Sequence, residues 1–506
     1  MRTTTRYVIA LVAALGLFPV ALDATIVNVA VIPISKALQA NVDTVQWIFL
    51  GYLLSTAAVV PLSGYLGSRL GIKRLFLFGT GLFAFFSLLC GLTTSIEWLI
   101  AYRVLQGVAG GLLMPICMAM GLEPFAKEER IKGMAIVGVP ALLAPVVGPI
   151  IGGLIIENLQ WQSIFLVNVP IGVVALALAW FGLPSDTKAG QSPEASGSAD
   201  YLGLLLAMPG VAVLVYAFKL ISQTDPLTRT AANPQGAIHG WGYWPVWALA
   251  AAGAVLLAGF AYRALKISRD PVLDLRLFAR RDFTVANLGI WVSSIMSFGL
   301  LFLLPVYLQG VRQPHLSPLE TGVALLPMGI ATVVGVALGG GLYRRVGARP
   351  LVLAGAVLLA GGCWQFLGLT PDMSTGDLVL PLALVGLGIT LILVPTNTLA
   401  LEALSGEALN KASSLVNASK LLAASIGSAA LVTVYIQYTS SHATTLVAGL
   451  SQAVLANPSQ TLAARAQIAA QAATSGMVDV FTLLLWSMIL LVALALLLPG
   501  RRADST

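Results

Sequence analysis

Stretches of roughly 20 or more mostly apolar residues recur fourteen times along this chain, and that recurrence decides most of what it can fold into. They lie near 7–34, 46–66, 74–94, 98–122, 133–157, 163–183, 201–221, 245–265, 283–309, 319–342, 350–370, 377–400, 411–437 and 478–498. At ~1.5 Å per residue each can cross the ~30 Å hydrocarbon core of a bilayer as a helix, which satisfies its own backbone polar groups there. Charged residues make up 10% of the 506, against roughly 25% in soluble domains, and the deficit is chain-wide. The chain is therefore read as an all-α polytopic membrane protein. Its first run is too long for a signal-peptide core and lacks a small-residue cleavage site, so it is read as a retained helix.

The basic residues give the orientation. With the N-terminus inside, inner segments hold 21 of the 28 Lys and Arg residues, while outer segments hold five (Lys36, Lys219, Arg229, Arg312 and Arg465). Arg103 and Lys420 fall within helices. This bias fits an even helix count with both termini cytoplasmic. It also explains the net charge of +7 as membrane topology rather than nucleic-acid binding. The three cysteines (Cys90, Cys117 and Cys363) sit in apolar runs, where packing suits them better than a disulfide framework.

The chain repeats itself. GYLGSRLGIKRLFLFG at 64–79 matches GGLYRRVGARPLVLAG at 340–355, with Gly71 and Gly347 in register at an offset of 276. Both copies join a second helix to a third if the chain is cut as six, two and six helices. A parallel repeat of six-helix halves is the layout of major facilitator transporters. The expected domains are an N-terminal bundle over 1–183, a linker with two inserted helices over 184–282, and a C-terminal bundle over 283–506. The Gly/Ser/Pro-rich stretch 184–200 reads as a flexible linker. An outer segment at about 438–477 is Ala/Gln-rich with helical propensity; a solvated connector, a hairpin or a cover over the outer mouth all fit it.

Ionisable groups inside the apolar runs are few. Asp23 lies ~24 Å along the first helix, in its outer half, and Arg103 lies ~9 Å from the outer end of the fourth, so opposite charges share a depth. Burial and ion pairing push a carboxyl in opposite directions, and alternation between them is one way to load and release a proton. A static buried ion pair is the other reading. His239, His315 and His442 all fall in outer loops, so a proton carrier within the membrane has to be a carboxylate. Glu157, Glu123 and Glu402 read as helix-end groups. In the fifth run, PALLAPVVGPIIGG (140–153) sets Pro140, Pro145 and Pro149 beside Gly148, Gly152 and Gly153, which suits either a bendable helix or plain tight packing. Asn28, Gln106, Asn397, Asn417 and Lys420 are the remaining polar candidates for a cavity lining. No P-loop, HExxH or GxSxG pattern occurs, so neither an ATPase, a zinc protease nor a serine hydrolase is indicated, and neither metal nor cofactor is expected.

As an ordered set, these motifs resemble the 14-helix drug:proton antiporters of the major facilitator superfamily, the EmrB/QacA type. LDATIVNVAVIP, GYLGSRLGIKR, RVLQG, GPIIGG, WQSIFLVNVPIG and PVLDLRLFARRDF follow one another in the order this family uses. The resemblance implies two six-helix bundles plus two inserted helices and a proton-coupled exporter of lipophilic, cationic compounds in the bacterial cytoplasmic membrane. It implies no enzyme activity. A lipid or amphiphilic metabolite is the alternative cargo. It further implies that Asp23 is a protonation and substrate-linked site and that Arg103 acts in proton coupling. Gly148, Pro149, Gly152 and Gly153 would form a conformational switch. Gly64, Arg69, Gly71, Lys73 and Arg74 would gate the cytoplasmic side. The implied partners are a small lipophilic substrate, protons, the bilayer and a periplasmic adaptor, with the protein a monomer. Three departures stand out: Ser68 replaces the usual Asp of the loop motif, Lys420 replaces an Arg, and Gln162 or Ser163 occupies a usually basic position.

Overall fold

The computed structural model describes residues 3–122, 124–125, 129–184, 201–223, 238–268, 271, 273–404, 406–449 and 458–498. All the regular elements among them are helices. The main ones are α1 (Thr3–Ile26), α2 (Val42–Leu70), α3 (Ile72–Leu92), α4 (Ile96–Leu122), α5 (Arg130–Asn158), α6 (Asn168–Gly182), α7 (Tyr201–Ser222), α8 (Trp244–Tyr262), α9 (Arg281–Gly310), α10 (Leu326–Val346), α11 (Ala348–Gln365), α12 (Val379–Glu402), α13 (Gly406–Ala448) and α14 (Pro458–Leu497). Among the described residues twelve helical segments are long and apolar enough to cross a membrane, and shorter apolar segments in α5 (Leu143–Asn158) and α7 (Leu205–Ile221) bring the total to the expected fourteen.

Local chemistry sets the boundaries. Gly71 separates α2 from α3 with φ 90° and ψ 149°, and its N–H closes α2 on Gly67 O at 3.0 Å. Gly347 does the same between α10 and α11, with φ 79° and ψ −177°. Both conformations belong to a region that only glycine enters without strain, so the repeated motif encodes a repeated turn. α1 continues through a 3-10 stretch (Val27–Ala30) into Val31–Ala37. Pro33 cannot donate to Val29 O, and the Asn28 amide bonds Thr25 O at 3.1 Å and Ala24 O at 3.3 Å, so the regular ladder gives way just after Asp23. α5 remains one helix through its three prolines.

The described residues fall into two compact units. The first comprises Met1–Pro209, Leu256–Arg280 and Leu401–Leu422; in it α1 packs on α5, α4 and α6, α2 packs on α4, and α3 packs on α4 and α6. The second comprises Gly210–Val255, Arg281–Ala400 and Ala423–Thr506; in it α14 packs on α11 and α9. α13 and α14 have 43 and 40 residues, about twice what a bilayer needs at ~1.5 Å per residue. The described parts of 438–477 therefore continue these two helices as a hairpin, clipped by His442 Nε2 and Asp479 Oδ2 at 2.7 Å. Most of the 184–200 linker lies outside the described residues.

Candidate functional site

Five helices of the first unit bring their polar residues to one buried point. Asp23 and Arg103 are both fully buried, and Asp23 is the only buried acid among the described residues. Arg103 Nη1 makes an ion pair with Asp23 Oδ2 and donates to Gln106 Oε1 at 2.8 Å. Its Nε donates to Ile48 O at 3.1 Å on α2. The guanidinium carbon lies 4.3 Å from the centre of the Tyr52 ring and 5.5 Å from that of Phe165, so aromatic faces cover the charge where Nη2 has no hydrogen-bond partner.

The other oxygen of Asp23 is held by amides. Asn168 Nδ2 of α6 donates to Oδ1 at 3.0 Å, and Gln106 Nε2 donates at 3.4 Å. Both amides also donate to Ser87 Oγ of α3, at 3.2 Å and 3.1 Å, while Ser87 donates to Phe165 O at 2.8 Å. The hydroxyl thus uses its one hydrogen and two lone pairs. Gln106 follows Arg103 by three residues, which places both on one face of α4. Every group that bonds Asp23 is a donor, the set an ionised carboxylate requires. A buried pair of this kind is costly to break from one side, ~3–5 kcal/mol, because the remaining charge stays in the interior.

The cluster is braced from α5. Thr25 Oγ1, two residues beyond Asp23, donates to Ala144 O at 3.1 Å. A Cβ at Gly152 would stand 2.8 Å from Ile26 Cγ1 and Val29 Cγ2, so only glycine permits this approach of α5 to α1. Gly148 faces Thr25 in the same way, and Pro149 and Gly153 are buried beside them.

The sequence profile of the Major Facilitator Superfamily matches residues 13–428. The chain belongs to this superfamily. Within it, a multidrug resistance protein B homolog of Mycobacterium tuberculosis (strain CDC 1551 / Oshkosh) is 33% identical over 422 residues, covering 83% of this chain and 74% of the relative. The multidrug export protein EmrB of Haemophilus influenzae is 30% identical, covering 82% and 77%. Among solved structures, a bacterial homologue of the human lysosomal transporter Spinster superposes with a TM-score of 0.63 at 15% identity, covering 98% of each chain, a likeness of fold. Membership in this superfamily makes the chain a membrane transporter, and the two relatives are named for multidrug resistance and export.

Among the sequence-predicted residues, Asp23, Arg103 and Gln106 meet in the cluster, and Gly148, Pro149, Gly152 and Gly153 support it. Asn28 is buried one turn beyond Asp23 and bonds its own helix. The gating group lies apart. Lys73 Nζ donates to Trp180 O at 2.9 Å and Leu183 O at 2.7 Å, tying α3 to the end of α6. The Arg69 guanidinium lies 4.9 Å from the centre of the Tyr65 ring, and Gly64 and Arg74 are exposed. The Ser68 side chain, like Glu123, lies outside the described residues. Asn397 and Lys420 are half-buried, Asn417 is exposed with its amide on Ser413 O at 3.0 Å, and none of the three joins the cluster. Cys90, Cys117 and Cys363 are free and buried, as expected. Sequence reasoning missed Asn168, Ser87 and Tyr52. An asparagine inside the apolar run 163–183 was the one available signal; a lone serine or tyrosine in such a run carries none.

Proposed function

We propose that this protein is a proton-coupled exporter of lipophilic, cationic compounds, working by alternating access in the bacterial cytoplasmic membrane with both termini inside. The observation that carries this reading is the buried Asp23–Arg103 pair with amide donors on the second carboxylate oxygen. A charge pair placed wholly in the interior is a poor stabiliser compared with apolar packing, and ionisable groups at membrane depth mark ion or substrate pathways.

Protonation of Asp23 cancels the anion, weakens the hold on one of the two Arg103 Nη1 hydrogens and leaves two amide donors facing a weaker acceptor. The packing of α1, α4 and α6 around that point then favours a different arrangement. Thr25 and the glycine face of α5 pass the change to a helix whose three prolines leave it short of backbone bonds. A cationic cargo that binds the ionised form competes with the proton, and by linkage each lowers the affinity of the other. That mutual exclusion is the requirement for antiport.

The test is efflux of a lipophilic cation from energised membrane vesicles with Asp23→Asn. The expected result is normal insertion with loss of pH-gradient-driven efflux. Export by Asp23→Asn with the wild-type sensitivity to gradient collapse removes Asp23 as the proton carrier.

A further inference from the structure

The ion pair does not account for one atom of the cluster. Asn168 is fully buried, both hydrogens of its Nδ2 are committed to Asp23 and Ser87, and its Oδ1 has no hydrogen-bond partner. A buried amide oxygen without a donor is costly, and native interiors rarely keep one. The opposite orientation of the amide would set Oδ1 against the ionised carboxylate, acceptor against acceptor. As long as Asp23 is an anion, the idle oxygen is forced to remain idle.

Protonation inverts that requirement. An Asp23 carboxylic acid needs one acceptor for its O–H, and its neighbours offer few. Arg103 carries donors only. Gln106 Oε1 is engaged by Arg103 Nη1 at 2.8 Å and by the Cys90 thiol at 3.9 Å. The Tyr52 hydroxyl donates to Val20 O at 3.2 Å, and no hydrogen bond joins it to Asp23. Asn168 alone holds an unused oxygen on a side chain already touching Asp23 Oδ1.

We propose that Asn168 is the positioning residue that reads the protonation state of Asp23, by rotating its amide end for end. In the ionised state Nδ2 donates to Asp23. In the protonated state Oδ1 takes that place and accepts the Asp23 Oδ1–H, while the two Nδ2 hydrogens give up Asp23 and Ser87 and move to the side that Oδ1 held, a loss that favours rearrangement of α6. One proton is added to Asp23 and no other bond to hydrogen is broken or made covalently. Ser87 then turns its hydroxyl from Phe165 O to Asn168 Oδ1, keeps the Gln106 donor, and releases the backbone turn that leads into α6. The charged or titratable groups that face Asp23 are Arg103 from α4, Tyr52 from α2 and Cys90 from α3. α6 supplies none, and α5 has none between Lys132 and Glu157. The switch therefore answers to Asp23 alone.

This inference rests on Asp23 taking up a proton, and the experiment separates the two claims. Full-length protein in lipid is stepped from neutral to acidic pH while infrared difference spectra record the carboxylic C=O stretch. The band lost in Asp23→Asn belongs to Asp23. In wild type it is expected at the lower frequency of a hydrogen-bonded acid; in Asn168→Leu it moves up to that of a free acid, and Asn168→Gln restores it. Asn168→Ala gives the same reading if the leucine variant does not fold. A band unmoved by loss of the Asn168 amide overturns the switch while leaving Asp23 as carrier. Absence of any Asp23 band down to the acid limit of the folded protein overturns both.

Discussion

The two copies of the repeated turn, at Gly71 and at Gly347, are built alike, but two groups of buried polar residues near them are spent differently. In the first unit Asp23, Ser87, Arg103, Gln106 and Asn168 bond across four helices. In the second, Asn287, Ser293, Ser294, Thr390 and Thr396 each donate to the carbonyl one turn back, at 3.0, 2.7, 2.6, 2.9 and 2.7 Å. A hydroxyl folded onto its own helix is indifferent to where the neighbouring helix stands. A network strung between helices depends on their spacing, so a change at one member alters the energy of the whole packing. The backbone plan is thus doubled, while among the described residues the one buried acid, with its arginine partner, lies in the first copy.

The largest effect expected is a non-additive one. Asp23→Leu and Arg103→Met singly should each lower stability by ~3–5 kcal/mol, because each strands a buried partner. The double substitution should recover most of that loss and still fail to transport. Ser293→Ala and Thr396→Val in the second unit should each cost no more than ~1 kcal/mol and leave efflux intact. Thermal unfolding of the purified variants reads the stabilities. Strictly additive losses at Asp23 and Arg103 would break the contrast between the two units, since additivity is what independent sites give.

A smaller effect tests the part the copies share. Gly71→Ala and Gly347→Ala both force a side chain into a conformation reserved for glycine, at about 1–3 kcal/mol each. Similar losses at the two positions, measured by the same unfolding assay, sharpen the view that the turns are equivalent. A loss at one alone means that its neighbour has relaxed the turn.

Much of this was legible in the residues. Apolar length gave the fourteen helices, and the equal depth of Asp23 and Arg103 anticipated their meeting, because rise per residue turns sequence distance into depth. The glycines at 148 and 152 announced a close helix contact, although not that α1 was the helix contacted. Asn168 and Ser87 were hidden for a physical reason: which of two polar residues in apolar runs face each other depends on helix rotation and crossing, and neither leaves a mark in composition. The extent of α13 and α14 beyond the apolar core was legible only as one alternative, since helical propensity fits a connector, a cover or a hairpin alike, and the choice depends on tertiary contacts such as that of His442 with Asp479.

The smallest effect concerns how helix ends are clipped. In the first unit Glu129, at the start of α5, pairs with Arg6 of α1 and accepts from Lys132 Nζ at 3.1 Å. The Lys132 hydrogen bond, followed by the bond and charge of Arg6, holds the Glu129 carboxyl below the usual glutamate range. In the second unit Arg281 donates instead to a backbone carbonyl, Leu497 O at 3.4 Å, which does not titrate. A depressed carboxyl contributes stability above its unfolded pKa of about 4.3 and loses that contribution as pH falls through the folded value. Glu129→Gln should therefore lower the unfolding temperature slightly at pH 7, by less than either glycine substitution. The gap from wild type should close as pH is brought through and below the ordinary glutamate range, and it should narrow in high salt, because the pair is partly exposed. Arg281→Gln should show a gap that does not change over the same pH interval. An equal pH response from the two variants would mean that the clip on α1 works through packing rather than through the charge of Glu129.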